Sequence, residues 1–402
     1  MFNFILVNKE FFIFIILLSL FLFWKKKNLQ VTGSFPFLYM LMYKTTLGLD
    51  KMDRWSKKHP KIFLYLSYLS IFIGIVGTIL MFIFMFWQLG FIVDNQLTQG
   101  GGLVLPIQTE KGLDSALPVF YIPFWYWLIA LFILVIVHEF AHGVIAERFN
   151  IKIKSSGFAF LGILAPIMPA AFVEPDEKQL KKKPRWQQIA VFGAGSTSNF
   201  IFGFLFLSLW LLIAGPITSS TMEIDKITFS NVINESDLKN YNLSSGEILA
   251  FNFDYDKKSF ITGISNLSIN QSINLTINSS GNIQTYNIKT FENTDIKNKG
   301  MIGISGLSFS YKNKNGFEFL GNSPLYFERL LFYIWFLNIA IGMMNLLPIW
   351  ITDGGQICKS ILEKYFKKKL ALSIYNYISI ISLIMIILTI WPSLLFSILG
   401  LN

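Results

Sequence analysis

Long apolar runs separated by short clusters of lysine set the pattern of this 402-residue chain. The first run, Phe11 to Trp24, is short for a membrane span, extends back through Phe2 to Val7, and closes on Lys25, Lys26 and Lys27. A signal peptide carries its charge ahead of the apolar core and a small-residue cleavage site behind it. The order here is reversed, so the run reads as an uncleaved helix ending in the cytoplasm. The loop to Lys61 carries Lys44, Lys51, Arg54, Lys57 and Lys58 and is cytoplasmic by the positive-inside rule. Within it, Phe35 to Tyr43 is apolar enough to lie on the membrane surface. Further runs, at about 62–89, 119–146, 188–214, 324–347 and 370–391, approach the ~20 residues that cross a hydrocarbon core about 30 Å thick. About six transmembrane helices are therefore predicted, with Pro392 breaking the last.

Two other apolar stretches do not read as spans. Gly100 to Ile107 (GGGLVLPI) is a glycine-started, proline-ended extended segment that folds back against the membrane. Gly157 to Glu177 contains Pro166 and Pro169, so a re-entrant hairpin packed against protein suits it better than a helix. From about Gly215 to Tyr311 the composition turns to Asn, Ser, Thr and charge. There the alternation of Ile273, Leu275 and Ile277, with Tyr286 and Ile288 nearby, predicts half-buried strands of an inserted soluble domain. Four regions result: 1–90, N-terminal helices and a basic loop; 91–214, the first half of a helical core; 215–315, the insert; and 316–402, the second half of the core.

Composition agrees with a membrane protein, since 53% of the residues are hydrophobic and only 14% charged. The net charge of +10 sits in loops beside apolar runs, which marks orientation and contact with anionic lipid and not nucleic-acid binding. One cysteine, Cys358, excludes an intrachain disulfide.

Chemistry enters at LFILVIVHEFAHG, Leu131 to Gly143. His138 and His142 are four apart, so a helix presents both imidazoles on one face, with Glu139 beside them. This HExxH spacing is a Zn²⁺ signature, two neutral imidazole ligands with a general base for a water molecule. The chain has three histidines, and the third, His59, lies in a lysine-rich loop. An ionisable cluster inside a span costs at least about 2.5 kcal/mol per charged group, so it is functional by default. Ten residues separate His138 from Arg148, which puts the site roughly 15 Å from the cytoplasmic interface. A zinc site of this kind needs a third protein ligand. Asp353, just past Pro348 in NLLPIWITDGG (Asn345 to Gly355), is the leading candidate, although an Asp-Gly turn at a helix exit is common. FGAGSTSNF, Phe192 to Phe200, supplies small residues for close helix packing and Asn199 as interhelical glue.

Together these segments resemble the site-2 proteases, intramembrane zinc metalloproteases of the M50 class. HEFAHG is similar to the family's zinc helix. FVEPDEKQLKKKPRWQQIAVFGAGSTSNF resembles its charged loop followed by a small-residue and Asn motif, and NLLPIWITDGG its N-x-x-P-x-x-x-x-D-G-G motif. NLSSGEILAFN, Asn242 to Asn252, is similar to a PDZ pattern. Two positions depart from the usual pattern, Ser196 for Pro and Thr352 for Leu. The resemblance implies a polytopic α-helical membrane protein with re-entrant β segments and an inserted PDZ-like α/β domain outside the cell membrane. It implies Zn²⁺ held by His138, His142 and Asp353, with Glu139 as the catalytic base. It also implies Asn199 and Asn345 as substrate-binding residues, with helix–helix contact their alternative. The expected substrates are transmembrane proteins already trimmed by a site-1-type protease, and the PDZ-like unit would filter or dock them. A non-catalytic zinc scaffold or a transporter is the rival class, but no inverted repeat is visible.

Overall fold

A chain in hydrocarbon has to satisfy its backbone polar groups internally, so long apolar runs become helices. In the computed structural model five helices are long and apolar enough to cross a membrane: Pro60–Asp94, Phe124–Arg148, Arg185–Thr221, Ser323–Met344 and Lys368–Ile390. The structure describes residues 2–34, 38–94, 101–108, 119–162, 166–234, 236–241, 243–292 and 299–399. Expectations for Phe35 to Phe37, Gly100, Lys111, Ile163 to Ala165, Asn242 and Gly400 to Asn402 lie outside the described residues. The chain divides into two compact units, Met1–Trp210 with Arg329–Asn402, and Leu211–Glu328.

In the first unit the N-terminal run forms two helices instead of one, α1 (Phe2–Val7) and α2 (Lys9–Trp24). The break falls at Asn8, which is 5% exposed. Its Nδ2 donates to the Phe4 and Gln108 carbonyls at 3.0 Å, and its Oδ1 accepts from Gln108 N–H at 2.7 Å. At 16 residues α2 is shorter than the five long helices. Of the stretch expected on the membrane surface, Leu38 to Tyr43 forms a strand. β1 (Leu29–Ser34) and β2 (Leu38–Thr45) pair as an antiparallel hairpin. α3 (Leu49–Lys58) and α4 (Pro60–Asp94) follow.

β3 (Leu103–Leu105) and β4 (Val119–Tyr121) form a short parallel pair, so the run expected to be helical from Val119 starts as a strand. Pro123 closes it and caps α5 (Phe124–Arg148). The proline-broken segment after α5 is a β-hairpin, β5 (Ile153–Gly162) with β6 (Pro166–Pro175), and its order in the sheet is β1-β2-β5-β6. β6 is an edge strand, where prolines are tolerated because no ladder bond is lost. α6 (Glu177–Lys182), capped by the Asp176 side chain, leads to α7 (Arg185–Leu209), which continues through a π-helical turn, Trp210–Ala214, into α8 (Gly215–Thr221).

The second unit is built on β7 (Met222–Phe229), β8 (Asn231–Val232), β9 (Gly246–Phe251), α9 (Lys257–Ser265), β10 (Ser272–Ser279), β11 (Asn282–Lys289), β12 (Phe291–Glu292), β13 (Gly300–Met301), β14 (Ile304–Ser305) and β15 (Ser308–Asn313). Its main sheet runs β11-β10-β9-β7-β15, all antiparallel, with β8 paired to β14 and β12 to β13. Ile273, Leu275 and Ile277 alternate along β10 at 0% exposure and pack with Ile227, Ile248 and Phe260 in this unit's core. The predicted period-two pattern is therefore the buried face of the sheet.

The chain then returns through α10 (Ser323–Met344), α11 (Asp353–Tyr365), α12 (Lys368–Ile390) and, beyond the Pro392 kink, α13 (Pro392–Leu399). α7 packs against α4, α5 and α11, which makes it the centre of the first unit. An ion pair of 2.9 Å between Arg185 and Glu363 ties the start of α7 to α11.

Candidate metal centre

α5 carries His138 and His142 one turn apart, as the spacing predicts, and their ring nitrogens converge. The two Nε2 atoms are 3.1 Å apart, and Asp353 Oδ2, from the first residue of α11, is 3.3 Å from each. The three candidate donor atoms lie within 4.8 Å of one another. His138 is 8% exposed, so the cluster is shielded from water.

Neighbouring groups hold both rings. His142 Nδ1 lies 2.7 Å from the Val191 carbonyl of α7. A carbonyl only accepts, so Nδ1 carries the proton and Nε2 presents a lone pair to the cluster. Asn199 lies 3.1 Å from His138 Nδ1 through its amide, and it is 0% exposed. A neutral His138 whose Nε2 faces the cluster carries its proton on Nδ1, and the oxygen end of the Asn199 amide is the end that satisfies it.

The donor set therefore consists of two imidazole lone pairs and a carboxylate oxygen that has no hydrogen bond of ordinary geometry. Acceptors this close repel one another unless a cation lies between them. The residues fit a metal ion, and two imidazoles with one carboxylate and an open position are a donor set that catalytic zinc sites use. Space for it comes from α7. A Cβ at Gly195 would lie 2.5 Å from His138 Nε2, and closer still to His142 Nε2 and His138 Cε1.

The Asp353 side is built by the turn between α10 and α11. Gly354 N–H donates to the Asn345 carbonyl at 2.8 Å, closing the loop. A side chain at Gly354 or Gly355 would run into the carbonyls of Leu346 or Ile349, so both glycines are steric requirements. Thr352, the departure from the usual apolar residue, caps α11. Its Oγ1 accepts from Gly355 N–H at 3.2 Å and donates to the Leu347 carbonyl. Ser196, the other departure, is 0% exposed and its hydroxyl has no partner among the described residues.

Glu139 is turned toward β6, where its Oε2 accepts from Val173 N–H at 2.8 Å. Glu174, the next residue, accepts from Lys44 Nζ of β2 and from Ser155 Oγ, both at 2.7 Å. These bonds hold its carboxyl below the usual carboxylate range. They also anchor the strand that positions Glu139.

Of the six residues singled out from sequence, His138, His142 and Asp353 meet at one point, and Glu139 and Asn199 flank it. Asn199 is expected to hold substrate, but it is sealed from solvent with its amide on His138. Asn345 is half-buried at the end of α10, with its main chain engaged by Gly354. The roles of Val173 and Val191 carry no sequence signal, because their backbones act. That of Gly195 is visible only as part of a small-residue run.

The chain is similar to an uncharacterized protein of Methanocaldococcus jannaschii, 29% identical over 336 residues, which covers 81% of this chain and 78% of that protein. A family model described as Peptidase family M50 matches residues 126–389, from within the metal helix nearly to the end of α12. With both halves of the donor set inside that match, the chain belongs to peptidase family M50.

Proposed function

We propose that the protein is an intramembrane zinc metalloendopeptidase of the site-2 type, cleaving peptide bonds within or near transmembrane segments of membrane proteins. The convergence of His138, His142 and Asp353, with Glu139 next in sequence to a ligand, carries this reading. The three residues would hold the ion. When bound, it supplies the Lewis acidity that brings the ionisation of water near pH 7 and polarises a carbonyl.

The chain's own groups do the rest. Val191 and Asn199 fix the two imidazoles with Nε2 facing inward. Glu139, anchored through Oε2 by Val173, keeps its other oxygen to accept the proton of the attacking water and return it to the leaving amine. The burial of Asn199 and its contact with His138 support a place for it behind the imidazole, and Asn345 is the better candidate to hydrogen-bond an unwound substrate. β6, an edge strand beside Glu139, is suited to hold that substrate extended.

The lysine pattern supports a multi-pass cell-membrane protein with its site nearer the cytoplasmic face. On that orientation the unit Leu211–Glu328 lies outside, as a PDZ-like filter or docking module for substrates trimmed by an upstream protease. A purely structural zinc site would close its shell with a fourth protein ligand. Among the described residues, only three His, Cys, Asp or Glu side chains are grouped here, and a carboxylate base stands beside them. Zinc content together with cleavage of a model transmembrane peptide tests the proposal. E139Q should keep its zinc and lose cleavage; proteolysis retained by that variant would remove Glu139 as the base.

A further inference from the structure

A cavity borders the metal helix and plays no part in the reading above. It measures about 610 Å³ and is walled by apolar side chains of α4, α5 and α7, among them Phe63, Phe140, Val144 and Ile201. Its mouth is formed by α3, which contributes Trp55 and Lys51, the one charged residue of the lining. Trp55 packs edge-on against Phe140, with ring centroids 5.4 Å apart.

α3 is amphipathic. Met52 and Ser56 face inward at 4% and 2% exposure. Lys51, Arg54 and Lys58, at i, i+3 and i+7, share one exposed face. Lys57 is paired with Asp53 at 2.7 Å, but Lys51, Arg54 and Lys58 have no ion pair among the described residues. Lys51 thus brings a cation to an apolar cavity in a chain with five membrane-length helices, and Arg54 and Lys58 stand about one and two turns along the same face, near Asp50 and Asp53.

We infer that this cavity is a binding site for an anionic membrane lipid, with one hydrocarbon chain between α4, α5 and α7 and its phosphate against Lys51 and Arg54. The lining suits a hydrocarbon chain with an anionic head, since it is apolar apart from small hydroxyl groups and its one charged residue is Lys51. A flexible hydrocarbon chain fits that space, and basic pockets between membrane helices select anionic headgroups. Val137 and Ala141 both line the cavity and lie beside His138 and His142 in the chain, so the bound chain would press on the back of the metal helix.

The test uses the full-length protein in detergent, titrated with phosphatidylglycerol or phosphatidylcholine and read by native mass spectrometry. The wild type should retain about one phosphatidylglycerol per chain, in preference to phosphatidylcholine. The double variant K51Q/R54Q should bind it about 30-fold more weakly, at about 1 kcal/mol for each cation near the surface. I201W, which fills the cavity from a half-exposed position, should lose both lipids while K51Q/R54Q keeps an uncharged chain. Equal retention of the two headgroups by the wild type overturns the anionic site, as does unchanged binding by K51Q/R54Q. Unchanged binding by I201W removes the cavity as the seat of the chain. Displacement of the lipid by a transmembrane peptide, with no effect of the cation changes, would make the cavity a peptide groove and overturn the inference.

Discussion

Gly195 is the position at which the structure makes its sharpest demand. Replacing glycine by alanine inside a helix normally stabilises it, by up to about 1 kcal/mol, because alanine has less backbone freedom to lose. At Gly195 the added methyl would sit 2.5 Å from His138 Nε2 and closer to His142 Nε2. Non-bonded heavy atoms settle about 3.5 to 4.0 Å apart, so the rings would have to retreat by roughly 1 Å. His142 cannot retreat without stretching its 2.7 Å bond to Val191, nor His138 without leaving Asn199. Lost outer-shell bonds of this kind typically weaken metal binding 10- to 100-fold each. With both disturbed, zinc affinity of G195A should fall at least 100-fold, about 2.7 kcal/mol. The metal-free protein should also melt lower than the wild type, since the overpacking and the lost ring bonds cost about 1 to 3 kcal/mol with or without the ion. Zinc affinity from chelator competition, set beside thermal unfolding after metal removal, reads both quantities on one preparation. A G195A protein that binds zinc as tightly as the wild type would refute the argument.

Asn199→Ala should weaken zinc binding about 10- to 100-fold, whereas Asn199→Asp, which keeps an acceptor on His138 Nδ1, should bind within a few-fold of the wild type; chelator competition distinguishes the two. Thr352→Ala removes the cap of α11 and should cost about 1 kcal/mol of stability together with measurable zinc affinity, and Thr352→Ser should restore both. The depressed pKa of Glu174 predicts an acid dependence. Its bonds to Lys44 and Ser155 contribute fully above the unfolded carboxyl value near 4.3 and are lost as pH falls through the lower folded value. With the Glu174 side chain 39% exposed the effect stays below about 1 kcal/mol, so E174Q should flatten only a shallow decline in melting temperature below about pH 5.

Much of the molecule can be read from local pattern. A run long enough to cross hydrocarbon has little choice but to be helical, and five such runs are helices within a few residues of the expected ends. The i, i+4 spacing of His138 and His142 requires only a helix in order to converge. The errors occur where a contact distant in sequence overrides a local preference. Val119 to Tyr121 is as apolar as the helix that follows, but Leu103 to Leu105 offers it a strand partner. Asn8 breaks the first run because Gln108, a hundred residues away, pairs with its side chain. Leu38 to Tyr43 pairs with β5, more than a hundred residues on, and so is a strand of a sheet.

The sequence by itself determined the membrane-length helices, the two histidines with a carboxylate beside them, and the candidacy of Asp353, because spacing and composition act over one or two helical turns or along one apolar run. Only the tertiary structure decided that Asp353 reaches both imidazoles across more than 200 residues, that Gly195 leaves room between them, and that Asn199 turns to His138. It also decided that a backbone amide of β6 holds Glu139. The physical reason is common to all four. Each depends on how close one element approaches another, and the packing of α7, α11 and the sheet edge sets that distance.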